Sequence, residues 1–331
     1  MGKIRSILSL GISIITAKMF NKKIPLLIGW QLTNRCNLKC KYCNVHELNQ
    51  EELPSELIFL IIDELRSLGT KFISFTGGEP LLREDIGAII DYCKKKALHI
   101  TINSNGFVLK EKLLSLKNAD LVIMSLDGPE EVHDSIRGDG SYKRVLEAAE
   151  ALRKEKIRLN FAVTLTKFNY DQVSFLLSKA REYTATITFQ PASLNMLYTD
   201  TNNQIRLSKE QIGVVMKELI SYKRKAQGSM ITNSISTLEH LYYWPNKKKM
   251  KCASGRIACR IKSNADVCLC SRVYNKSNSF NIVELGFKKA FDSLPQICCN
   301  ECWCAQRVEV NLLFNIKWEV IMNNIILLAK G

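Results

Sequence analysis

Three cysteines, Cys36, Cys40 and Cys43, form a CxxxCxxC arrangement. Three thiolates at this spacing on one loop can share an inorganic iron–sulfur cluster. A four-iron cluster held by three cysteines leaves one iron without a protein ligand. A small molecule with an amine and a carboxylate can bind that iron and receive an electron. The spacing therefore predicts a cluster that supports chemistry.

A zinc site is the alternative interpretation of the same cysteines. A closed zinc site takes four ligands, commonly as two CxxC-type pairs, so His46 would have to supply the fourth. The motif alone leaves both metals open, and its single run of three cysteines favours the iron–sulfur cluster.

A glycine-rich segment, Gly77, Gly78, Glu79 and Pro80, follows a predicted strand. Glycines lack side chains, so backbone polar groups there can approach a ligand closely. A segment of this kind is an ordinary turn when it stands alone. Its position after a second predicted strand, downstream of the cysteine motif, favours a ligand-binding role.

In this order the two motifs resemble the signature of the radical S-adenosylmethionine (SAM) superfamily, with aromatic Tyr42 before the last cysteine. The resemblance covers roughly residues 27–190. It implies a [4Fe–4S] cluster with an open iron, on catalytic Cys36, Cys40 and Cys43. It also implies homolysis of SAM to methionine and a deoxyadenosyl radical that abstracts hydrogen.

The same resemblance implies where SAM is bound. The glycine segment receives the methionine amine, the regions 103–106 and 125–129 contact the ribose and the carboxylate, and Arg137 pairs with that carboxylate. The SAM-binding residues implied in this way are Tyr42, Gly77, Gly78, Glu79, Pro80, Asn103, Asn105, Ser125, Asp127, Arg137 and Gln190.

A second cysteine-rich region occupies residues 252–304 and resembles the C-terminal SPASM or twitch domains that hold auxiliary iron–sulfur clusters. By that resemblance Cys252, Cys270, Cys299 and Cys302 ligate one auxiliary [4Fe–4S] cluster. The neighbouring thiols are alternates or ligands of a further cluster: Cys259, Cys268, Cys298 and Cys304. A zinc ribbon is the alternative that the Cys299 and Cys302 pair alone would favour.

Short β-rich runs alternate with amphipathic stretches between residues 54 and 191, and an earlier run counts as the first strand, which is typical of a parallel sheet with helical crossovers. The predicted strands are Leu27–Leu32, Lys71–Phe75, Leu98–Asn103, Leu121–Leu126, Leu159–Leu165 and Thr186–Gln190. We therefore expect an α/β fold, a partial (β/α)6 TIM-type barrel with a small C-terminal cysteine-rich cluster domain. The motif residues follow strand C-terminal ends and would converge on one mouth.

The predicted domains are a basic amphipathic N-terminal segment (1–23), the barrel (24–230), the auxiliary cluster domain (231–307) and a C-terminal helix (308–331). The connecting helices are predicted at Glu56–Leu68, Asp85–Lys96, Tyr142–Glu155 and Tyr170–Tyr183. Beyond Gln190 the alternation fades, and further helical stretches are predicted near Lys209–Lys225 and Ser234–Tyr243.

The composition of the chain limits the cellular compartment and the binding partners that can be expected. The chain has 331 residues, 12 cysteines and a net charge of +15, and no apolar run reaches the roughly 20 residues of a membrane-spanning helix. A thiolate-rich chain indicates a reducing interior, so we expect a cytoplasmic protein. The basic N-terminal segment has apolar residues at helical spacing and three interpretations: a helix packed on the barrel, a helix in peripheral contact with the inner membrane face, or a cleaved signal peptide.

The leading functional prediction is a radical SAM oxidoreductase or maturase for peptide maturation or small-molecule oxidation, with an electron donor such as flavodoxin or ferredoxin. A lipid-modifying, membrane-associated radical SAM enzyme is the first alternative. A zinc-stabilised nucleic-acid-binding protein is the second, supported only by the charge and the cysteine pairs, and nucleic acid is not the expected partner. The substrate itself, whether peptide, small molecule or lipid, is not defined by the sequence. No extra domain of the size that grips a leader peptide is evident, so a separate partner would supply that grip.

Overall fold

The computed structural model describes residues 2–48, 51–192, 205–243, 250–270, 278–296 and 302–329. Six strands form its parallel core: β1 (Leu27–Thr33), β2 (Phe72–Gly77), β3 (His99–Ser104), β4 (Leu121–Ser125), β5 (Leu159–Leu165) and β6 (Thr186–Pro191). Each pairs in parallel with its neighbour in sequence order. The predicted α/β partial barrel is confirmed.

The strands form because their buried positions carry apolar, mostly β-branched or aromatic side chains. In β3 the side chains alternate between buried and half-buried, whereas β5 is buried at nearly every position. Trp30 and Phe75, on adjacent strands, are fully buried in the main core. The pattern is that of a sheet with both faces covered.

Helices cross between the strands, as the periodicity predicted. They are α2 (Ser55–Ser67), α3 (Ile86–Lys95), α4 (Glu130–Arg137), α5 (Ser141–Lys154) and α6 (Val173–Glu182), with a 3-10 segment, Lys110–Leu116, between β3 and β4. Helix α4 was not predicted, because its eight residues include only two large aliphatic side chains, Val132 and Ile136. It matters for function because it ends at Arg137.

The cysteine-rich region continues the same sheet. Beyond α7 (Lys209–Arg224) and α8 (Ile235–Tyr242), strand β7 (Ala258–Ile261) pairs in parallel with β1. Strands β8 (Asp266–Cys268) and β9 (Ser279–Asn281) then follow as antiparallel neighbours. Short helices α9 (Ile282–Leu285) and α10 (Phe287–Asp292) close this end. The predicted division at residue 231 therefore falls within a region that shares its sheet with the barrel.

The described ends of the chain are helical. Helix α1 (Gly2–Met19) packs on a satellite core with Leu26 and Phe314. The single helix predicted over 308–331 is instead two helices, α11 (Ala305–Phe314) and α12 (Trp318–Ala329). The break follows Asn315, whose side-chain amide donates to the Asn311 carbonyl, and Ile316 adopts a left-handed φ of 59°. No glycine or proline announces this turn.

Candidate active site

The cysteine loop follows the C-terminal end of β1. Backbone hydrogen bonds anchor it: the Cys43 amide donates to the Cys40 carbonyl over 2.9 Å, and the Lys41 amide donates to the Ile136 carbonyl over 2.9 Å. Cys36, Cys40 and Cys43 are all half-buried, and the pKa of Cys36 is raised in part by the nearby thiols of Cys40 and Cys43. The three thiols thus lie in one neighbourhood, and their role as cluster ligands stays a prediction.

Burial of these thiols opposes their ionisation. It raises the pKa of Cys36 to about 11 and also raises the pKa values of Cys40 and Cys43. Two N–H donors face the sulfur atoms: Asn105 Nδ2 lies 3.8 Å from Cys36 Sγ, and Arg137 Nη1 lies 4.0 Å from Cys40 Sγ. Donors and a cation beside three neighbouring thiols fit an iron–sulfur cluster held by thiolates, because such groups stabilise negative charge on sulfur.

The glycine segment packs directly on the approach to the cysteine loop. The Gly78 amide donates to the Thr33 carbonyl over 2.9 Å, and the Glu79 amide donates to the Arg35 carbonyl over 2.8 Å. A Cβ atom on Gly77 would lie 2.3 Å from the Thr33 oxygen, and one on Gly78 would lie 2.1 Å from the Arg35 oxygen. The glycines are therefore required for contact between the two motifs, a reason that the sequence did not show.

Glu79 is fully buried and its carboxylate faces the loop after β3. It accepts hydrogen bonds from the backbone amide of Asn105 (2.6 Å), the Ser104 hydroxyl (3.1 Å) and the backbone amide of Leu81 (3.0 Å). Burial raises the pKa of Glu79 to about 7, although these donors favour the charged form. Next to it, Pro80 starts a 3-10 turn, Pro80–Leu82. Glu79 thus fixes the position of Asn105, and its predicted contact with SAM stays a prediction.

Asn103, Asn105 and Ser125 lie at or just beyond the C-terminal ends of β3 and β4, as the sequence predicted. Asn105 Nδ2 also donates to Asn37 Oδ1 over 2.9 Å, so this residue bridges to the cysteine loop. Asn103 Nδ2 donates to Ser74 Oγ and to the Phe75 carbonyl, each over 2.8 Å, within the sheet. Ser125 is the last residue of β4 and is half-buried. Their predicted contacts with SAM remain predictions.

A buried ion pair joins the loop after β4 to the end of α4. Asp127 Oδ2 accepts from Arg137 Nε over 2.6 Å and from the Tyr42 hydroxyl over 3.0 Å, while Oδ1 accepts from the Thr164 amide over 2.8 Å. Burial opposes the charge of Arg137, but Asp127, Tyr42 and Cys40 outweigh that effect and raise the pKa of the guanidinium. Arg137 is therefore held between Asp127 and the cysteine loop. Its predicted pairing with the SAM carboxylate is a further role that these contacts do not test.

Two buried residues near this pair were not predicted. His133 Nδ1 accepts from the Asp127 backbone amide over 3.1 Å, and burial, reinforced by Arg137, lowers the pKa of His133 to about 4. Asn169 Nδ2 donates to the carbonyls of Asp127 and Thr164 over 2.8 and 2.9 Å. Neither residue belongs to a recognisable motif, and only their shared contact with Asp127 identifies them.

Gln190, at the end of β6, binds backbone of the C-terminal region. Its Nε2 donates to the Trp303 carbonyl over 2.9 Å and its Oε1 accepts from the Ala305 amide. The residue therefore ties the barrel to the segment that follows Cys302. Its predicted role in SAM binding stays a prediction.

The second group of cysteines is brought together in the C-terminal region. Burial and the nearby thiols of Cys304, Cys252 and Cys270 all raise the pKa of Cys302, which places the four sulfurs in one neighbourhood. Cys299, a predicted ligand, lies outside the described residues. In the described part of the chain, no three His, Cys, Asp or Glu side chains converge closely enough for one metal ion. Cys304 thus lies in the neighbourhood of Cys252, Cys270 and Cys302, whose role as ligands stays a prediction.

Half-buried arginines accompany these thiols. Arg260, on β7, stands opposite Cys268 in the antiparallel pairing with β8, and its Nε is buried without a hydrogen-bond partner. Arg307 influences the ionisation of both Cys302 and Cys259. Positive side chains beside several thiols fit a thiolate-ligated cluster, whose net charge is negative.

Three neighbouring thiols, a glycine segment and a buried arginine therefore lie at the C-terminal ends of the barrel strands. Residues 30–180 match the family model described as Radical SAM superfamily. The match covers 151 of the 331 residues, a little under half of the chain, and it establishes similarity to this superfamily over the barrel.

Two relatives illustrate the similarity. The Fe-coproporphyrin III synthase of Methanosarcina barkeri is 32% identical over 170 residues, which cover 49% of this chain and 43% of that protein. The mycofactocin maturase MftC of Mycolicibacterium smegmatis is 27% identical over 271 residues, which cover 79% of this chain and 68% of that protein. The match thus spans less than half the length of the synthase and about two thirds of the maturase.

Solved structures share the fold. Streptococcus suis SuiB bound to S-adenosylmethionine superposes with a TM-score of 0.69 at 17% identity, covering 85% of this chain and 69% of SuiB. Native anSMEcpe with bound AdoMet gives a TM-score of 0.68 at 17% identity, covering 91% of this chain and 100% of that chain. The likeness extends past the six-stranded barrel into the C-terminal region.

Proposed function

We propose that the protein cleaves SAM reductively at the mouth of the barrel and uses the deoxyadenosyl radical to take hydrogen from a bound substrate. The observation that carries the proposal is the joining of the cysteine loop to the glycine segment by backbone hydrogen bonds from Gly78 and Glu79. This contact puts three neighbouring thiols beside the loops after β2, β3 and β4, at one end of the sheet.

Each residue has a defined task in this proposal. Cys36, Cys40 and Cys43 would hold the cluster, which would supply one electron to SAM so that its carbon–sulfur bond breaks. Asn105 and Arg137 direct N–H groups at two of the sulfurs, which stabilises thiolate charge. An electron donor such as flavodoxin or ferredoxin would replace the electron consumed in each cleavage.

We further propose that the C-terminal thiols hold one auxiliary [4Fe–4S] cluster. Cys252, Cys270 and Cys302 are supported by their shared neighbourhood, and either Cys299 or Cys304 would complete the set. The hydrogen bond from Gln190 to the Trp303 carbonyl ties this region to the end of β6. The auxiliary cluster would therefore lie near the same mouth.

A peptide is the substrate class that we favour. Structures of the neighbours include SuiB bound to precursor peptide SuiA and anSMEcpe with a Kp18Cys peptide. The match to the mycofactocin maturase covers 79% of the chain, so it must reach past residue 250 into the cysteine-rich region, whereas the match to the synthase covers 49%. Small-molecule oxidation is the second candidate, favoured by the higher identity to the synthase.

The match of residues 30–180 to the Radical SAM superfamily model favours an enzyme over the zinc-stabilised nucleic-acid-binding alternative. For the location, we propose peripheral contact with the inner face of a membrane. No helix in the described part of the chain has the length and apolarity to span a bilayer.

The decisive experiment is anaerobic purification with iron and sulfide analysis, followed by reduction in the presence of SAM. We expect roughly eight irons per chain, as two four-iron clusters require, and formation of 5′-deoxyadenosine and methionine. Cys36→Ala should abolish deoxyadenosine formation and remove about half of the iron, because the auxiliary ligands are untouched.

Cys93→Ala is the matched control. Cys93 is fully buried in α3 among apolar side chains, so this variant should keep both its iron and its activity. Deoxyadenosine formation by Cys36→Ala at the wild-type rate, or a colourless wild-type protein that carries zinc, would contradict the proposal.

A further inference from the structure

Exposed apolar side chains concentrate on the two helices at the described ends of the chain. On α1, Ile12, Ile15 and Met19 recur at the spacing of one helix face, with exposed fractions of 65%, 47% and 73%. The opposite side of this helix, with Ile14 and Ala17, packs into the satellite core. Helix α1 therefore carries one apolar face that is covered and one that is not.

Helix α12 repeats the pattern. Trp318, Met322 and Ile326 recur every four residues on its exposed side, while Val320 is buried. Helices α1 and α12 contact each other. We call the following residues the terminal apolar surface: Ile12, Ile15, Met19, Phe20, Ile316, Trp318, Met322 and Ile326. These eight account for more than half of the 14 large apolar side chains exposed among the described residues.

Around the terminal apolar surface, the lysine side chains face solvent and the glutamate side chain faces the protein. Lys18, Lys22 and Lys317 are exposed at its borders. The carboxylate of Glu319 instead turns inward, accepting from the backbone amides of Ile235 (2.9 Å) and Ser236 (3.2 Å) at the start of α8. An apolar face bordered by lysines and bearing exposed aromatic rings is complementary to an anionic lipid surface.

The terminal apolar surface lies at the N-terminal ends of the barrel strands. The chain from α1 enters β1, and the Ile24 amide donates to the Arg256 carbonyl just before that strand. Arg158, directly before β5, donates through Nη2 to the Leu327 carbonyl of α12 over 3.3 Å. Cys36 follows the opposite, C-terminal end of β1. Because these strands are parallel, the surface and the candidate active site are at opposite ends of the barrel.

We propose that α1 and α12 dock the protein on an anionic phospholipid bilayer through the terminal apolar surface. The floor of the barrel then lies against the membrane and the mouth opens toward the aqueous phase. Resting on the proposed function, this orientation favours a water-soluble peptide over a lipid of the same bilayer, since such a lipid would have to pass around the barrel. The first alternative, a lipid-modifying enzyme, is disfavoured for that reason.

The test is flotation of the anaerobic holoprotein with vesicles of phosphatidylcholine and phosphatidylglycerol, compared with phosphatidylcholine alone. We expect flotation only with the anionic vesicles. Met19→Glu and Trp318→Glu should each weaken partitioning by at least about tenfold, because a buried apolar side chain becomes a charge. Leu60→Glu and Leu114→Glu, at apolar positions 66% and 77% exposed on other surfaces, are the matched controls and should float like wild type.

Several results would overturn the docking proposal. Wild type that remains at the bottom of the gradient, or controls that lose flotation as Met19→Glu does, would contradict it. A dimer that Met19→Glu dissociates, without flotation of either, would assign the surface to a second copy of the chain. Brominated lipid should quench fluorescence in wild type but less in Trp318→Phe; equal quenching would place the contact elsewhere.

Orientation and activity have separate readouts. Cys36→Ala should float like wild type, so a failure of docking is distinguished from a failure of SAM cleavage. Deoxyadenosine formation from SAM in the aqueous phase should proceed at the same rate with and without anionic vesicles. Suppression of that rate by vesicle binding would show that the mouth faces the bilayer.

Discussion

Replacing Asp127 by Asn tests the buried ion pair most directly, because the change removes a charge and almost no volume. The Asp127 carboxylate accepts hydrogen bonds on both oxygens, from Arg137 and Tyr42 on one side and from the Thr164 amide on the other. An Asn side chain has a single acceptor oxygen. Either orientation of the amide therefore faces an N–H donor with another donor.

The magnitude follows from the burial. Removing one partner of a buried pair leaves an uncompensated charge, here Arg137, and costs about 3–5 kcal/mol in the free energy of unfolding. For a chain of 331 residues that loss lowers the thermal midpoint by about 4–7 °C. Thermal unfolding of the anaerobic holoprotein, followed by circular dichroism, measures the shift.

Asp139→Asn is the matched control, since it removes the same charge from an exposed residue two positions beyond Arg137. It should change the unfolding free energy by less than about 0.5 kcal/mol. Adding Arg137→Leu to Asp127→Asn removes the unpaired charge, so the double variant should lose less than the sum of the single losses. A midpoint for Asp127→Asn within about 1 °C of wild type, or strictly additive losses, would refute the reasoning.

Two further predictions concern the glycine segment and the pH dependence of stability. Gly78→Ala places a methyl group against the Arg35 backbone, so the variant should lose iron from the barrel site and form little deoxyadenosine. Gly213→Ala is the control, because its Cβ would lie 3.8 Å from the nearest atom. Iron analysis and the deoxyadenosine assay should show wild-type values for this control. The pKa of Glu79 is raised from its usual 4.5 to about 7, so the folded protein loses stability as the pH rises between these values. The pKa of His133 is lowered from its usual 6.5 to about 4, so the folded protein loses stability as the pH drops between these values. Glu79→Gln removes only the first effect, so its thermal midpoint should drop more steeply than that of wild type on acidification from about pH 7 to 5, and parallel curves would contradict this assignment.

The sequence predicts the barrel well because its strands are buried and parallel. The predicted strand Leu159–Leu165 is reproduced residue for residue, and the other predicted strands differ from the observed ones by one or two residues at an end. Strands β7 to β9 were missed because three or four residues carry too little periodicity. Helix α12 was predicted only as part of a longer helix, since the turn at Ile316 has no glycine or proline.

In the candidate site, too, residues close together in the chain were predicted, and contacts between residues distant in the chain were not. Cys36, Cys40 and Cys43 were predicted from spacing alone, because ligands of one cluster lie close in the chain. The contacts of Asp127 with Tyr42 and Thr164 span 85 and 37 residues, and such separations leave no local pattern. His133 was missed for the related reason that its partner is the backbone amide of Asp127, which no side-chain motif records.

The Asp127 and Arg137 pair is better explained by the cysteine loop than by stability. A buried ion pair contributes little more than well-packed apolar side chains of similar volume, because desolvation offsets most of the attraction. What an apolar pair cannot provide is a guanidinium 4.0 Å from Cys40 Sγ. Asp127 fixes Arg137 through Nε, which leaves Nη1 directed at the sulfur. The pair thus holds a positive charge where a thiolate ligand would need it, and Asp127 acts on the site by positioning Arg137.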